Sequence, residues 1–342
     1  MTSVILTRRG FFAAGAIAGV GIAGASGSLT GLAEAAAEVA DFVKGPPVKD
    51  HPVVALSPHV FYIEAPSGTP TPENQGMMAN LTFVIGDTGV VVVDTGSSVQ
   101  IAEMAIRRLK AMSGKSVVGV VNTHYHGDHW LGNDGFVQVY GADLPIWALA
   151  GTRREIAGAT GTLWHDSMLK WTNGATLGTR IVPPNRDVDH GFELSLGDVT
   201  LRMHHYGPAH TPHDLCVEVV EDGVMCVGDV LMHRRIANMD DGSFKGTIET
   251  IDRLTAAANP KIWLPGHGRP GPEVATWQRE LFAGIWETCL RAVDEGTPLE
   301  GALALVLNDP RVATRAAGTE GWDRTIGKYV SLAYLEAEQA KF

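Results

Sequence analysis

Apolar and polar positions along the 342 residues follow two rhythms. Short apolar or alternating runs, bounded by Gly, Pro and Asp, predict strands over residues 53–64, 80–85, 90–93, 117–123, 145–150, 192–196, 199–206, 215–220, 224–227 and 261–264. Helical spacing predicts helices over 101–112, 152–170 (with interruptions at Gly158 and Gly161), 247–257, 273–294 and 325–340. Residues 66–76 and 131–135 read as loops. The strand–helix–strand order predicts layered α/β packing. Trp164, Met168 and Trp171 read as packing residues of their helix.

The polar punctuation carries the chemistry. The strand at 117–123 leads into His124-Tyr125-His126-Gly127-Asp128-His129. Side chains at i and i+2 of an extended segment point the same way, so His124 and His126 can share one metal ion. A turn at Gly127 lets Asp128 and His129 swing toward a second. Imidazole with carboxylate suits zinc, and also iron or manganese. Other strand ends offer the same side-chain types: His210 after residue 206, Asp229 after 227 and His267 after 264. Asp94 closes the 90–93 strand. It can orient a liganding imidazole, or equally cap a turn.

The Asp94-Thr95-Gly96 turn, the His-x-His-x-Asp-His loop, Gly207-Pro208-Ala209-His210-Thr211, Gly228-Asp229 and Pro265-Gly266-His267-Gly268 occur in one order across residues 53–270. This set resembles the metallo-β-lactamase-fold hydrolases. The resemblance implies an α/β fold, an αββα sandwich of two mixed β-sheets flanked by helices. It implies two divalent ions, zinc with iron or manganese as alternatives. One would be held by His124, His126 and His210, the other by Asp128, His129 and His267. Asp229 would bridge them and Asp94 would stand behind a ligand. A hydroxide bridging the ions would attack an ester, thioester, lactone or similar small substrate, with Asp128 relaying its proton. Asp229 is similar to the glyoxalase II-like thioesterases and lactonases, whereas zinc β-lactamases generally carry Cys or Ser there. Iron-dependent sulfur dioxygenases share most of the ligands and give the alternative activity; β-lactam hydrolysis is a further one.

Charge and cysteines narrow the picture. A net charge of −11 gives no footprint for nucleic acid. Against that acidity, Arg234 and Arg235 follow the Asp229 strand end and can hold an anionic substrate group; otherwise they pair with Asp240 or Asp241. Cys216, Cys226 and Cys289 form no disulfide framework and read as small buried apolar groups.

Residues 1–35 resemble a twin-arginine export signal: Thr7-Arg8-Arg9-Gly10-Phe11-Phe12 precedes an Ala/Gly-rich apolar run. That run is too short to anchor stably in a membrane. Residues 36–51 read as a tether, and 52–342 as the domain with a C-terminal helical extension. The expected partners are the twin-arginine machinery and a small-molecule substrate, and the expected location is periplasmic or secreted. Replacing Arg8 and Arg9 together by Lys should leave the precursor in the cytoplasm. Normal appearance of that variant in the periplasm removes the export reading.

Overall fold

The structure, a computed structural model, describes residues 43–66 and 68–341. The export signal at 1–35 and the tether up to residue 42 lie outside the described residues. Residues 43–51 run along the domain. Val48 is buried in its core, the Gly45 N–H donates to the Leu177 carbonyl at 2.8 Å, and Arg107 donates to the Val48 carbonyl at 3.1 Å.

A seven-stranded sheet runs β1 (Val53–Ala55), β2 (Val60–Ile63), β3 (Leu81–Gly86), β4 (Gly89–Val93), β5 (Val117–Val121), β6 (Ile146–Ala148) and β7 (Arg186–Asp187). It is antiparallel from β1 to β4 and parallel from β4 to β7. A five-stranded sheet is ordered β12 (Ile262–His267), β11 (Val224–Met232), β10 (Cys216–Val219), β9 (Thr200–His204) and β8 (Glu193–Ser195). Its β11 and β12 are parallel and the remaining pairs antiparallel. Both sheets are therefore mixed.

The layering follows from strand period two. In β4, Val91 and Val93 join Val217 and Val219 of the facing sheet in a common core. Val90 and Val92 point the other way, onto Ile101, Met104 and Ala105 of the helix Val99–Met112. The Ser98 side chain caps that helix by accepting from the Ile101 N–H. On the outer face of the second sheet, Met225, Val227 and Trp263 meet Ile251 and Leu254 of the helix Phe244–Ala258. The order of layers is helix, sheet, sheet, helix. Cys216 lies in the outer core and Cys226 in the inner one, on opposite faces of their sheet, and all three thiols are free and buried.

Some elements differ from expectation. β11 continues past residue 227 to Met232, so Asp229 sits within a strand, at a stretch where the register against β12 shifts twice. Its parallel pairing with β12 overrides the Gly228-Asp229 break signal, and β12 itself runs through Pro265-Gly266 to His267. Residues 127–140 hold two helices, Gly127–Trp130 and Asn133–Tyr140, where a loop is expected at 131–135; the second is anchored by the buried Phe136. The 152–170 segment breaks only at Gly158, into Ala150–Ala157 and Ala159–Trp171. Two short helices, Leu299–Asn308 and Pro310–Ala316, precede the last one, Trp322–Gln339. Among the described residues no helix is long and apolar enough to cross a membrane.

This topology gathers strand ends. β4 and β5 are parallel, so residues 94 and 122–129 leave the first sheet at one edge. Cross-ties bring the second sheet to that edge: the Leu215 N–H donates to the Thr123 carbonyl, and the Asn80 N–H to the Gly266 carbonyl, both at 2.8 Å.

Candidate metal centre

Two clusters of metal-type side chains meet where the strand ends converge: His124, His126, His210 and Asp229, and beside them Asp128, His129 and His267. Every one is buried. Asp229 touches both. Its Oδ2 lies 3.9 Å from His124 Nε2, 3.5 Å from His210 Nε2 and 3.2 Å from His267 Nε2, and its Oδ1 lies 3.3 Å from His129 Nε2. Asp128 Oδ2 is 3.2 Å from His267 Nε2 and 3.5 Å from His129 Nε2. His210 Nε2 faces His126 Nδ1 at 3.0 Å.

These separations fit metal ligation. Ligands about 2.0–2.1 Å from a tetrahedral ion are themselves roughly 3.3 Å apart. The Nε2 atoms of His124, His126 and His129, Nδ1 of His210 and Oδ1 of Asp229 are buried without a hydrogen-bond partner. Leaving such groups unpaired costs about 1–3 kcal/mol each; a cation among the clusters relieves His124 Nε2, His129 Nε2 and Asp229 Oδ1, while His126 and His210 turn their other ring nitrogens, Nδ1 and Nε2, toward it.

The surroundings fix which ring nitrogen is free. Asp94 adopts a left-handed backbone, φ 58°, at the end of β4. Its Oδ2 accepts from His129 Nδ1 at 2.7 Å and from the Thr123 hydroxyl at 2.8 Å, and its Oδ1 accepts from the Thr123 N–H. The Thr123 oxygen, its own proton committed to Asp94, lies 3.0 Å from His124 Nδ1 and can only accept from it. His267 Nδ1 donates to the Met78 carbonyl at 2.7 Å. The Nε2 atoms of His124, His129 and His267 are thereby the ring nitrogens turned toward the clusters. Asp94 thus stands behind His129 directly and behind His124 through Thr123, a residue whose role its sequence position alone did not reveal.

Burial holds three imidazoles neutral. It pushes His124 well below the usual histidine range, His126 down to about 4 and His210 down to about 3, with neighbouring imidazoles adding to the effect. Burial opposes charge on His129 too, but Asp229, Asp128 and Asp94 outweigh it and raise its pKa well above the ordinary value. His267 is likewise raised, burial being outweighed chiefly by Asp229. Burial disfavours the charged forms of Asp128 and Asp229, yet His129 and His267 beside them hold both carboxyls below the usual range.

Backbone clearance is tight. A Cβ at Gly266 would lie 2.1 Å from Asp229 Oδ1 and 2.9 Å from His129 Cε1. Gly228, at φ 51°, would place a Cβ 2.6 Å from the Thr123 hydroxyl.

A cavity of about 370 Å³ opens over the clusters, reached by His126, Asp128, His210, Asp229 and His267. Trp164, Met168 and Trp171 line it, as do Arg235 and, from the last helix, Arg324 and Lys328. The Trp164 ring sits 4.8 Å from that of His126. These aromatics are therefore cavity wall as well as packing, which their i, i+4, i+7 spacing is compatible with. Of the two arginines singled out from sequence, Arg235 lines this cavity. Arg234 lines instead an adjoining one of about 770 Å³, with His233 and Arg269. Neither pairs with Asp240 or Asp241: Arg235 meets Glu320 at 2.9 Å, Asp240 pairs with Lys328, and Asp241 accepts from the Tyr125 hydroxyl.

An αββα sandwich with a His/Asp double cluster at one edge defines the class. The profile of the metallo-beta-lactamase superfamily matches residues 75–305, and the chain belongs to that superfamily. It is 22% identical over 273 residues to a linear primary-alkylsulfatase of Pseudomonas sp., covering 66% of this chain and 49% of the relative. It is 26% identical over 144 residues to a hydroxyacylglutathione hydrolase of Maricaulis maris, covering 42% and 45%. The chain thus spans about half the length of the curated relatives it matches. Among solved structures, a sec-alkylsulfatase from Pseudomonas sp. aligns with TM-score 0.65 at 18% identity, over 84% of this chain and 50% of that one. A metallo-beta-lactamase from Pontibacter korlensis aligns with TM-score 0.54 at 19% identity, over 68% and 98%. These likenesses carry the fold.

Two substitutions test the centre. Gly266→Ala should drive a methyl into Asp229 and strip bound metal by elemental analysis while the circular dichroism spectrum stays native; full metal content would show that Asp229 does not depend on this clearance. Asp94→Asn should weaken metal affinity by about 10–100-fold, read by competition with a chelator. An unchanged affinity would separate Asp94 from the centre.

Proposed function

We propose that this chain is a metal-dependent hydrolase that splits an ester-type bond, a carboxylic ester, thioester or lactone, in a small substrate. The observation that carries this reading is the position of Asp229, within 3.2–3.9 Å of imidazoles from both clusters at the foot of a 370 Å³ cavity. His124, His126 and His210 would hold one divalent ion, Asp128, His129 and His267 a second, with Asp229 between them. Zinc, or alternatively iron or manganese, would lower the pKa of water toward about 7 and polarise the bond under attack.

The protein's own groups do the rest. Asp128 lines the cavity beside Asp229 and would take the attacking water's proton. The water oxygen bonds to the acyl carbon, the C–O or C–S bond breaks, and the proton passes to the leaving alkoxide or thiolate. Cysteine is not the nucleophile in this reading, because Cys216, Cys226 and Cys289 are buried in the cores. Trp164, Met168 and Trp171 supply an apolar surface that favours a partly apolar substrate and excludes bulk water.

A sulfate ester is a second reading, supported by the alkylsulfatase named among both the sequence and the structural relatives. Asp229 in place of Cys or Ser weighs against β-lactams. The iron-dependent sulfur dioxygenase reading rests on the shared ligand types. Export by the twin-arginine route is part of the same proposal and rests on Arg8 and Arg9.

Elemental analysis of purified protein should find two zinc-like ions per chain. A panel of thioesters, lactones, carboxylic esters, alkyl sulfates and β-lactams should then show turnover of an ester, thioester or lactone. One iron per chain with oxygen uptake would replace hydrolysis by the dioxygenase reading, and turnover of alkyl sulfates alone would move the reading to the second class.

A further inference from the structure

The cavity has two unlike linings, and each adjoins a different metal cluster. Trp164, Met168 and Trp171 occupy one face of the helix Ala159–Trp171, and Trp164 packs on His126 of the first cluster. Of the cationic lining, Arg235 lies by the second cluster. Arg235 and His267 share the wall of both this cavity and its neighbour.

Arg235 is a built feature. It is only 7% exposed. One terminal nitrogen donates to Glu320 at 2.9 Å and to the Gly68 carbonyl at 2.8 Å. Its Nε is buried with no acceptor. A guanidinium carries five N–H donors, and the Glu320 and Gly68 acceptors both sit on Nη1, so an oxyanion at this wall would be met by the donors of Nη2.

Arg324 and Lys328 add to the same lining. They are one turn apart on Trp322–Gln339, so they share a helix face. Lys328 meets Asp240 at 2.5 Å with both side chains about half exposed. Arg324 is exposed and makes no ion pair among the described residues. This helix lies outside residues 75–305, the span shared with the superfamily. Glu320 and Asp240 offset Arg235 and Lys328, so in a chain of net charge −11 Arg324 is the cation of this lining without an ion-pair partner among the described residues, and it would draw an anion there.

We propose that the substrate is an amphiphilic anion: an apolar group rests on Trp164, Met168 and Trp171, and a carboxylate-type oxyanion, separate from the scissile bond, is held by Arg235 with Arg324 and Lys328. The C-terminal helix is then a specificity element, and the scissile bond lies between the two linings, over Asp128 and Asp229. This rests on the hydrolase reading and names its substrate class.

The test compares two esters of equal chain length, 4-nitrophenyl hexanoate and the 4-nitrophenyl half-ester of adipic acid, on the metal-loaded enzyme. The nitrophenyl ring offers the apolar group, and only the adipate half-ester carries the carboxylate. The exposed pair Arg324→Ala/Lys328→Ala leaves the cores untouched, and Arg235→Lys keeps the buried charge while removing the fork. The ratio of kcat/KM for the adipate half-ester to that for the hexanoate should fall on the order of tenfold in each variant. The fall should lie mainly in KM, with metal content as in wild type. A ratio unchanged in both variants, or a wild type that prefers the neutral ester, overturns the proposal. Hydrolysis of neither ester by wild type leaves the hydrolase reading to the thioesters and lactones of the panel. The anchor is then judged by calorimetric titration with octanoate: weaker binding to the double variant supports it, and equal affinity or no binding to wild type overturns it.

Discussion

The end of the sandwich concentrates charge where water is nearly absent. Asp94, Asp128 and Asp229 are at most 5% exposed and lie among five imidazoles buried to the same degree. An ion withdrawn from water costs several kcal/mol even after relaxation, unless opposite charge and hydrogen bonds replace the solvent. Three of the imidazoles cannot supply that charge, because burial keeps His124, His126 and His210 neutral. Only His129 and His267 are pushed toward protonation, and it is the carboxylates that push them. Divalent cations balance such a site better than two shared protons, since they also engage His124 Nε2 and His129 Nε2, which otherwise stay unpartnered. The same demand explains why these side chains come from strand ends, the short helix Gly127–Trp130 and the irregular stretch of β11 at Asp229: convergence must be held by backbone geometry before ions can hold it.

The scaffold behind the ligands serves that demand. Asp94 reads out to His129 and, through Thr123, to His124, so one carboxylate sets two imidazoles in two clusters. Behind His129, the buried amides of Asn122 and Asn133 exchange hydrogen bonds, and Asn122 reaches the His129 carbonyl. Fully paired buried networks of this kind rigidify what they support. Gly228 and Gly266 are the counterpart, positions where the backbone passes too close to Thr123 and Asp229 to carry a side chain.

Much of this was readable before any coordinates. The valine-rich strands and the helix at 101–112 announce themselves by period, and the six-residue His/Asp loop by density. What stayed hidden depends on pairing between distant segments. β11 reads as ending at Val227 because Gly228-Asp229 looks like a turn, and only its parallel alignment with β12 carries it on to Met232. The helix Asn133–Tyr140 is short and starts with turn-forming residues, so its buried Phe136 decides the matter through tertiary contact. Thr123 and the Met78 carbonyl are invisible as site members, since a threonine at a strand end and a main-chain oxygen have many commoner uses. Trp164 packs a helix and walls a cavity at once, and spacing cannot separate the two roles. Arg235 stands out from sequence, but its partner Glu320 lies 85 residues away, beyond any local pattern.

The division of labour within the chain follows from these distances. The clustered His and Asp side chains lie within the superfamily span, and the chemistry of such a site is generic: activated water and a polarised bond serve many substrates. Selectivity has to come from the walls. Those walls are contributed by the loop that carries Thr69 and Pro70, the helix Ala159–Trp171, and the C-terminal helix beyond residue 305. None of these supplies a metal-type ligand, so each can change shape or charge without disturbing the charge balance beneath. Arg235 ties the two regimes together, lying six positions after Asp229 and bonding to both Gly68 and Glu320. Through it, the placement of the outer elements is referred to the strand that carries Asp229, which is how a variable rim can stay in register with a fixed centre.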